Sequence, residues 1–117
     1  MKYFQHQSNF RHHPSIRTVT ESSGIVGYGC ALVALEVLAE ARENHGDPFE
    51  LSLDDKRYGW AFWQREFMLK NRAATAAMLI SLASAGVLDQ EALEQRRVIA
   101  APILQHYLDE SARRKRA

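Results

Sequence analysis

Hydrophobic and polar positions change period several times along the chain, and each change marks an element. Over residues 14–22, "PSIRTVTES" puts Ile16 and Val19 on one stripe behind Pro14, a residue suited to a helix's first turn. Ser22-Ser23-Gly24 then supplies a stop. The pattern predicts a short helix, with a strand as the alternative because β-branched residues crowd the segment. Residues 25–43 carry the strongest signal. Ile25, Tyr28, Leu32, Leu35 and Ala39 fall on one helical face, and Val33, Val37 and Ala41 widen it. Only Glu36, Glu40 and Glu43 make a polar stripe. A helix apolar on most sides predicts a central rod packed by several neighbours, ended here by "NHGDP".

Beyond it the period drops to two. Phe49, Leu51 and Leu53 alternate with Glu50 and Ser52, the mark of a short half-exposed strand. Asp54-Asp55 can cap a following helix whose apolar face is Trp60, Trp63 and Phe67. "MLKN" interrupts. A new helix runs from Arg72 to about Ala85, with Thr75, Met78, Leu79 and Leu82 inward and Gly86 as its stop. "VLD" (87–89) and "RRVIA" (96–100) read as two short strands joined by "QEALEQ". Pro102 opens a last helix carrying Ile103, Leu104, Tyr107 and Leu108, which runs into the basic "RRKR". The expected fold is mainly α with a small β-hairpin, as a single domain over residues 1–112 and a basic C-terminal tail over 113–117.

Composition narrows the setting. A chain of 117 residues sustains one core without staples. The single cysteine, Cys30, precludes an internal disulfide and fits a reducing compartment. "MKYFQHQSNF" lacks the apolar centre of a secretory signal, and Glu36 and Glu40 cut the longest apolar run short of a bilayer's width. A cytoplasmic protein with no membrane contact is expected. The net charge of +1 says little, but its distribution is uneven. Residues 21–55 hold eight carboxylates against Arg42, whereas 56–88 hold Lys56, Arg57, Arg65, Lys70 and Arg72 against Glu66. Such segregation suits one polyanion-facing surface.

Candidate chemistry is sparse. Gly24, Gly27 and Gly29 are spaced G-x-x-G-x-G, the reverse of a dinucleotide fingerprint, and no P-loop lysine follows. The expectation is structural: Gly24 ends one helix, while Gly27 and Gly29 let another element cross closely. His6, His12, His13, His45 and His106 do not show zinc-ligand spacing. Neither Asp54-Asp55 nor the Glu36/Glu40/Glu43 stripe has a nucleophile or oxyanion donor beside it, and Ser22, Ser23, Ser81 and Ser84 lack a triad motif. No enzyme activity, cofactor, metal or small-molecule substrate is expected. Trp60, Trp63 and Phe67, at i, i+3 and i+7, read as core, with a stacking platform for single-stranded bases as the alternative.

The segment 54–86 says more. Helix, break and helix, with Lys70, Asn71 and Arg72 opening the second, match a helix-turn-helix whose second helix enters the major groove by its N-terminal end. A helical hairpin with a charged turn fits equally well.

Several stretches, taken in order, carry a resemblance. "MKYFQHQSNFRHHPSI", "GIVGYGCALVALEVLAE", "LSLDD", "LISLASAGVLDQEALEQRRVI" and "PILQHYLDESARRKR" resemble the winged-helix N-terminal domain of phage and mobile-element replication-initiation proteins, a DnaD-like group. The likeness runs nearly end to end, although "RHHPSI" stands where the family has an acidic residue and Cys30-Ala31 where it has an aromatic one. It implies a winged helix, with helix-turn-helix and wing, that binds double-stranded DNA during replication, often joined to further domains downstream. Lys70, Asn71 and Arg72 would then anchor the helix start on phosphates. Arg96 and Arg97, on the wing strand, would contact the minor groove or backbone, and Arg113, Arg114, Lys115 and Arg116 would add nonspecific attraction. After Arg72 the second helix offers mostly Ala73, Ala74, Ala76 and Ala77, which cannot make the bidentate hydrogen bonds that distinguish bases. Backbone-directed binding is expected. The alternative is a protein-interaction module, in which the Ala-rich face over 73–84, including Ala76 and Ser84, serves a homodimer or docks on a host complex.

Overall fold

The computed structural model describes residues 12–45 and 50–102, and the side chains of all of these except 42–45. Helix α1 spans Pro14–His45 and is bent at Gly24, whose φ of 65° and ψ of −155° are non-helical. That conformation is essentially restricted to glycine. The predicted stop is therefore a kink within one long element. Before it, the polar residues satisfy themselves on the helix. Thr18 Oγ1 donates to Pro14 O and Thr20 Oγ1 to Ile16 O, both at 2.8 Å. Ser15 N donates to His13 Nδ1 at the helix start.

The buried stripe runs past the kink at three- and four-residue spacing, from Ile16 and Val19 through Gly27 to Cys30, Ala34 and Leu38. Ile16 and Val19 are fully buried on the first arm; Cys30, Ala31, Ala34, Leu35, Leu38 and Ala39 are buried on the second. This corrects the face expected from the sequence. Leu35 and Ala39 do point inward, but Ile25 is 78% exposed, and Leu32, Val33 and Val37 are only half-buried. The two glycines after the kink also differ. A Cβ on Gly27 would sit 2.8 Å from the Val19 carbonyl oxygen, so the two arms of α1 close on each other there. A Cβ on Gly29 would meet nothing within 4 Å, so the element expected to cross at Gly29 is not found among the described residues. By length and composition, Pro14–Ala41 would reach across a bilayer, contrary to the reading of the Glu-interrupted run. Its inner face packs on the segments Glu50–Ser52, Trp60–Phe67 and Arg72–Ser84.

Strand β1 (Glu50–Ser52) pairs antiparallel with β2 (Val98–Ala100), Leu51 opposite Ile99, and both of these side chains turn into the core. Asp55 caps a 3-10 turn at Lys56–Tyr58 by accepting from Arg57 N. Helix α2 (Trp60–Phe67) buries Trp63 and Phe67, the former completely. Phe62 meets Trp63 edge-on at 5.3 Å between ring centroids. Helix α3 (Arg72–Ser84) buries Thr75, Leu79, Leu82 and Ala83, with Met78 half-buried.

The next segment departs from expectation. Residues Gln90–Arg96 form helix α4, not a loop between strands, and "VLD" is not a strand. Asp89 Oδ1 accepts from Ala92 N at 3.1 Å, an N-cap ahead of a run of helix formers. Arg96 is thus the last residue of α4, and Arg97 is its left-handed cap with φ of 54°. Only the end of "RRVIA" is strand. Its partner, β1, lies far back in the sequence. The coarser expectation stands: a mainly helical chain with one small antiparallel two-stranded sheet. The last helix expected after Pro102 lies outside the described residues.

Two expected outcomes follow from this packing. Gly24→Ala forces a side chain into a glycine-only conformation and lowers unfolding free energy by about 1–3 kcal/mol, read from the urea midpoint. Cys30 is buried, and burial pushes its thiol above the ordinary range. A neutral, covered thiol is a poor nucleophile. A thiol-reactive disulfide reagent at pH 7 should therefore label the denatured chain quickly and the folded chain slowly.

Candidate nucleic-acid interface

The break between α2 and α3 is built by two local devices. Met68 takes a left-handed conformation (φ 55°) that ends α2, its N–H donating to Arg65 O and the Leu69 N–H to Gln64 O. Asn71 then starts α3: its Oδ1 accepts from Ala74 N at 2.8 Å. The side chain given a phosphate-binding role by the sequence is therefore engaged as a helix cap through its oxygen, while Lys70 and Arg72, on either side of it, are exposed.

The arginines here are held in two ways, by a ring or by a carboxylate. Arg72 lies over the Trp60 ring, its Cζ 5.1 Å from the centroid. Arg96 pairs with Glu50 at 3.5 Å and Arg97 with Asp54 at 3.3 Å. These two pairs fasten the end of α4 to β1 and the turn after it. All four side chains are at least one-third exposed, so the pairs are weak, screened and easily exchanged. Arg57 is bound by Asp55 at 3.1 Å, and that hydrogen bond and charge raise its already high pKa.

Between α2, α3 and α4 runs a groove of about 280 Å³ with a mostly apolar lining. Trp60, Ile80, Ala83 and Leu93 form much of its wall, and Arg97 and Glu94 stand among its polar groups. Trp60 is the common point: Arg72 covers its ring, and the groove that it walls reaches Arg97. Arg97 thus lines the groove, and Arg72 is joined to it only through the Trp60 ring. Arg96 instead reaches to Glu50, the first residue of β1. Arg113, Arg114, Lys115 and Arg116 lie outside the described residues.

The outward face of α3 is apolar and mostly small. Ala73, Ala77 and Ser84 are exposed, and Ile80 is 57% exposed. Of the aromatic set, Trp63 and Phe67 are core, as the spacing predicted, whereas Trp60 is only partly covered. Trp60 was read as core, with a stacking platform as the alternative, and Ile80 was not singled out at all. Only the relative placement of α2, α3 and α4 sets both residues in the lining of the groove. Among the described residues no three His, Cys, Asp or Glu side chains gather as a metal site. No protein-family model, curated protein or solved structure matches the chain at a significant level.

The cap has a measurable weight. Asn71→Ala removes the acceptor for Ala74 N and should cost about 1 kcal/mol, read from thermal or urea unfolding. Asn71→Asp keeps the acceptor and should be nearly neutral for stability.

Proposed function

We propose that the chain is a DNA-binding winged-helix module of a replication or regulatory protein, with α2 and α3 as its helix-turn-helix and α3 as the helix that meets the duplex. Binding is directed mainly at the phosphate backbone. The observation that supports this most is the placement of Arg72 and Arg97 around Trp60, with the outward face of α3 beside them. Lys70 adds an exposed charge at the start of α3. Arg96 and Arg97 exchange their exposed carboxylate partners for phosphates at little cost. In place of a wing hairpin, α4 and its left-handed cap at Arg97 carry these arginines. Past Arg72, α3 offers the duplex Ala73, Ala77 and Ile80, which can touch a thymine methyl but cannot read a base pair's donors and acceptors. Such a surface positions a protein on DNA more than it selects a sequence.

One observation favours a second reading. Exposed Ile80 beside an apolar groove is also what a protein-contact surface requires, and the chain would then act as a homodimer or on a host complex. The readings separate in solution. As a DNA module, the protein shifts a duplex at micromolar concentration, and with about six phosphates neutralised its affinity falls roughly 10³-fold between 50 and 200 mM salt. Arg96→Ala/Arg97→Ala weakens binding across unrelated sequences and folds normally, as exposed pairs contribute little stability. Absence of a shift, together with a dimeric mass by light scattering that Ile80→Gln returns to monomer, would establish the second reading instead.

A further inference from the structure

We propose that Trp60 is a positioning residue, which holds the Arg72 guanidinium at the start of α3 in readiness for a DNA phosphate. The role rests on the DNA-binding reading above and names a residue that this reading does not itself require.

The case starts from how the described arginines are held. Arg17 is paired with Glu21, Arg96 with Glu50 and Arg97 with Asp54, and Arg57, which also lies 5.5 Å from the Tyr58 ring centroid, is paired with Asp55. Each of those ion pairs fixes a guanidinium by offsetting its charge. Arg72 is held by a ring, 5.1 Å from Cζ to the Trp60 centroid. The face of an indole attracts a cation through its quadrupole, without a formal negative charge and without accepting its N–H donors in ordinary hydrogen bonds. Arg72 therefore keeps both its charge and its donors for an incoming anion, while its long side chain is already partly ordered.

Trp60 is placed for this use. It is the first residue of α2, and Arg72 is the first of α3, so the contact spans the two helix starts across the α2–α3 turn. The indole Nε1 is buried and has no hydrogen-bond partner among the described residues, so packing of the ring orients it there. Trp63, one turn on, is wholly buried and cannot take the part. A guanidinium presented in this way loses less side-chain freedom when it engages a phosphate.

The test uses the whole chain and a short mixed-sequence duplex, read by fluorescence anisotropy. Trp60→Leu should weaken binding about two- to five-fold, the range of an exposed cation–π contact. Trp60→Phe, which keeps a ring face, should recover most of that loss. In an Arg72→Ala background, Trp60→Leu should cost nothing further. A second readout needs no DNA: Arg72→Ala uncovers the Trp60 ring and should red-shift the intrinsic emission of the free protein, with buried Trp63 contributing a constant signal. If the wild type binds but Trp60→Leu weakens it equally with and without Arg72, the Trp60 role is overturned and the DNA reading survives. If the wild type does not bind, the DNA reading falls and the phosphate role with it. An emission spectrum unchanged by Arg72→Ala also overturns the proposal, and this result decides the matter should Trp60→Leu fail to fold.

Discussion

The bend at Gly24 is the constraint on which the rest of the molecule depends. A straight helix of 32 residues from Pro14 to His45 would be about 48 Å long at 1.5 Å per residue, and both of its ends could not pack on one small core. The non-helical dihedrals of Gly24 break the helix into two arms, and Gly27 lets the arms close against the Val19 carbonyl. Ile16 and Val19 on one arm, and Leu35 and Leu38 on the other, then join one core with Trp63, Leu79 and Leu82. The sheet completes it: Leu51 and Ile99, paired across the strands, are buried in the same cluster.

What α3 can do at the surface follows from what it gives to that core. Thr75, Leu79, Leu82 and Ala83 are spent inward, and Thr75 Oγ1 is satisfied by Asn71 O at 2.9 Å. The outward side is left with small and apolar side chains. Charge near this helix therefore comes from its start, at Lys70 and Arg72, and from the end of α4. Electrostatics of this kind supplies attraction and orientation, and leaves sequence discrimination to shape and methyl contacts.

Much of the architecture was legible in the sequence, and the misses share a cause. Pro14, Arg72 and Gly86 are local punctuation, fixed by dihedral preference or capping, and each marked its boundary, whereas Gly24, read as a stop, bends one helix. The alternation over 49–53 likewise marked a strand, found at Glu50–Ser52. What could not be read locally was pairing and phase. The second arm of α1 is apolar on most sides, so its sequence does not choose between adjoining faces; packing buries Ala31, Ala34 and Leu38, and Ile25, placed inside, is outside. "RRVIA" was paired with "VLD" because neighbours in sequence usually pair, whereas its partner is β1. Helix α4 did leave a signal: Asp89 ahead of Gln-Glu-Ala-Leu-Glu-Gln is a cap followed by strong helix formers. The short apolar pieces on either side outweighed it. For the candidate interface, the cations were visible as charges, but their partners Glu50 and Asp54, and the ring under Arg72, are set by tertiary placement alone.

The account's central proposal is that α3, with Arg72 on the Trp60 ring and Arg97 in the groove that Trp60 walls, is the side of the molecule that meets DNA. The most direct measurement is a titration of the isotope-labelled chain with a short duplex, followed by amide chemical shifts. The account predicts that the changes gather at Leu69–Ala77 and at Arg96–Val98, and fade as salt is raised. Shifts centred on the exposed Glu36 and Glu40 side of α1, or none at all at high duplex concentration, would contradict it.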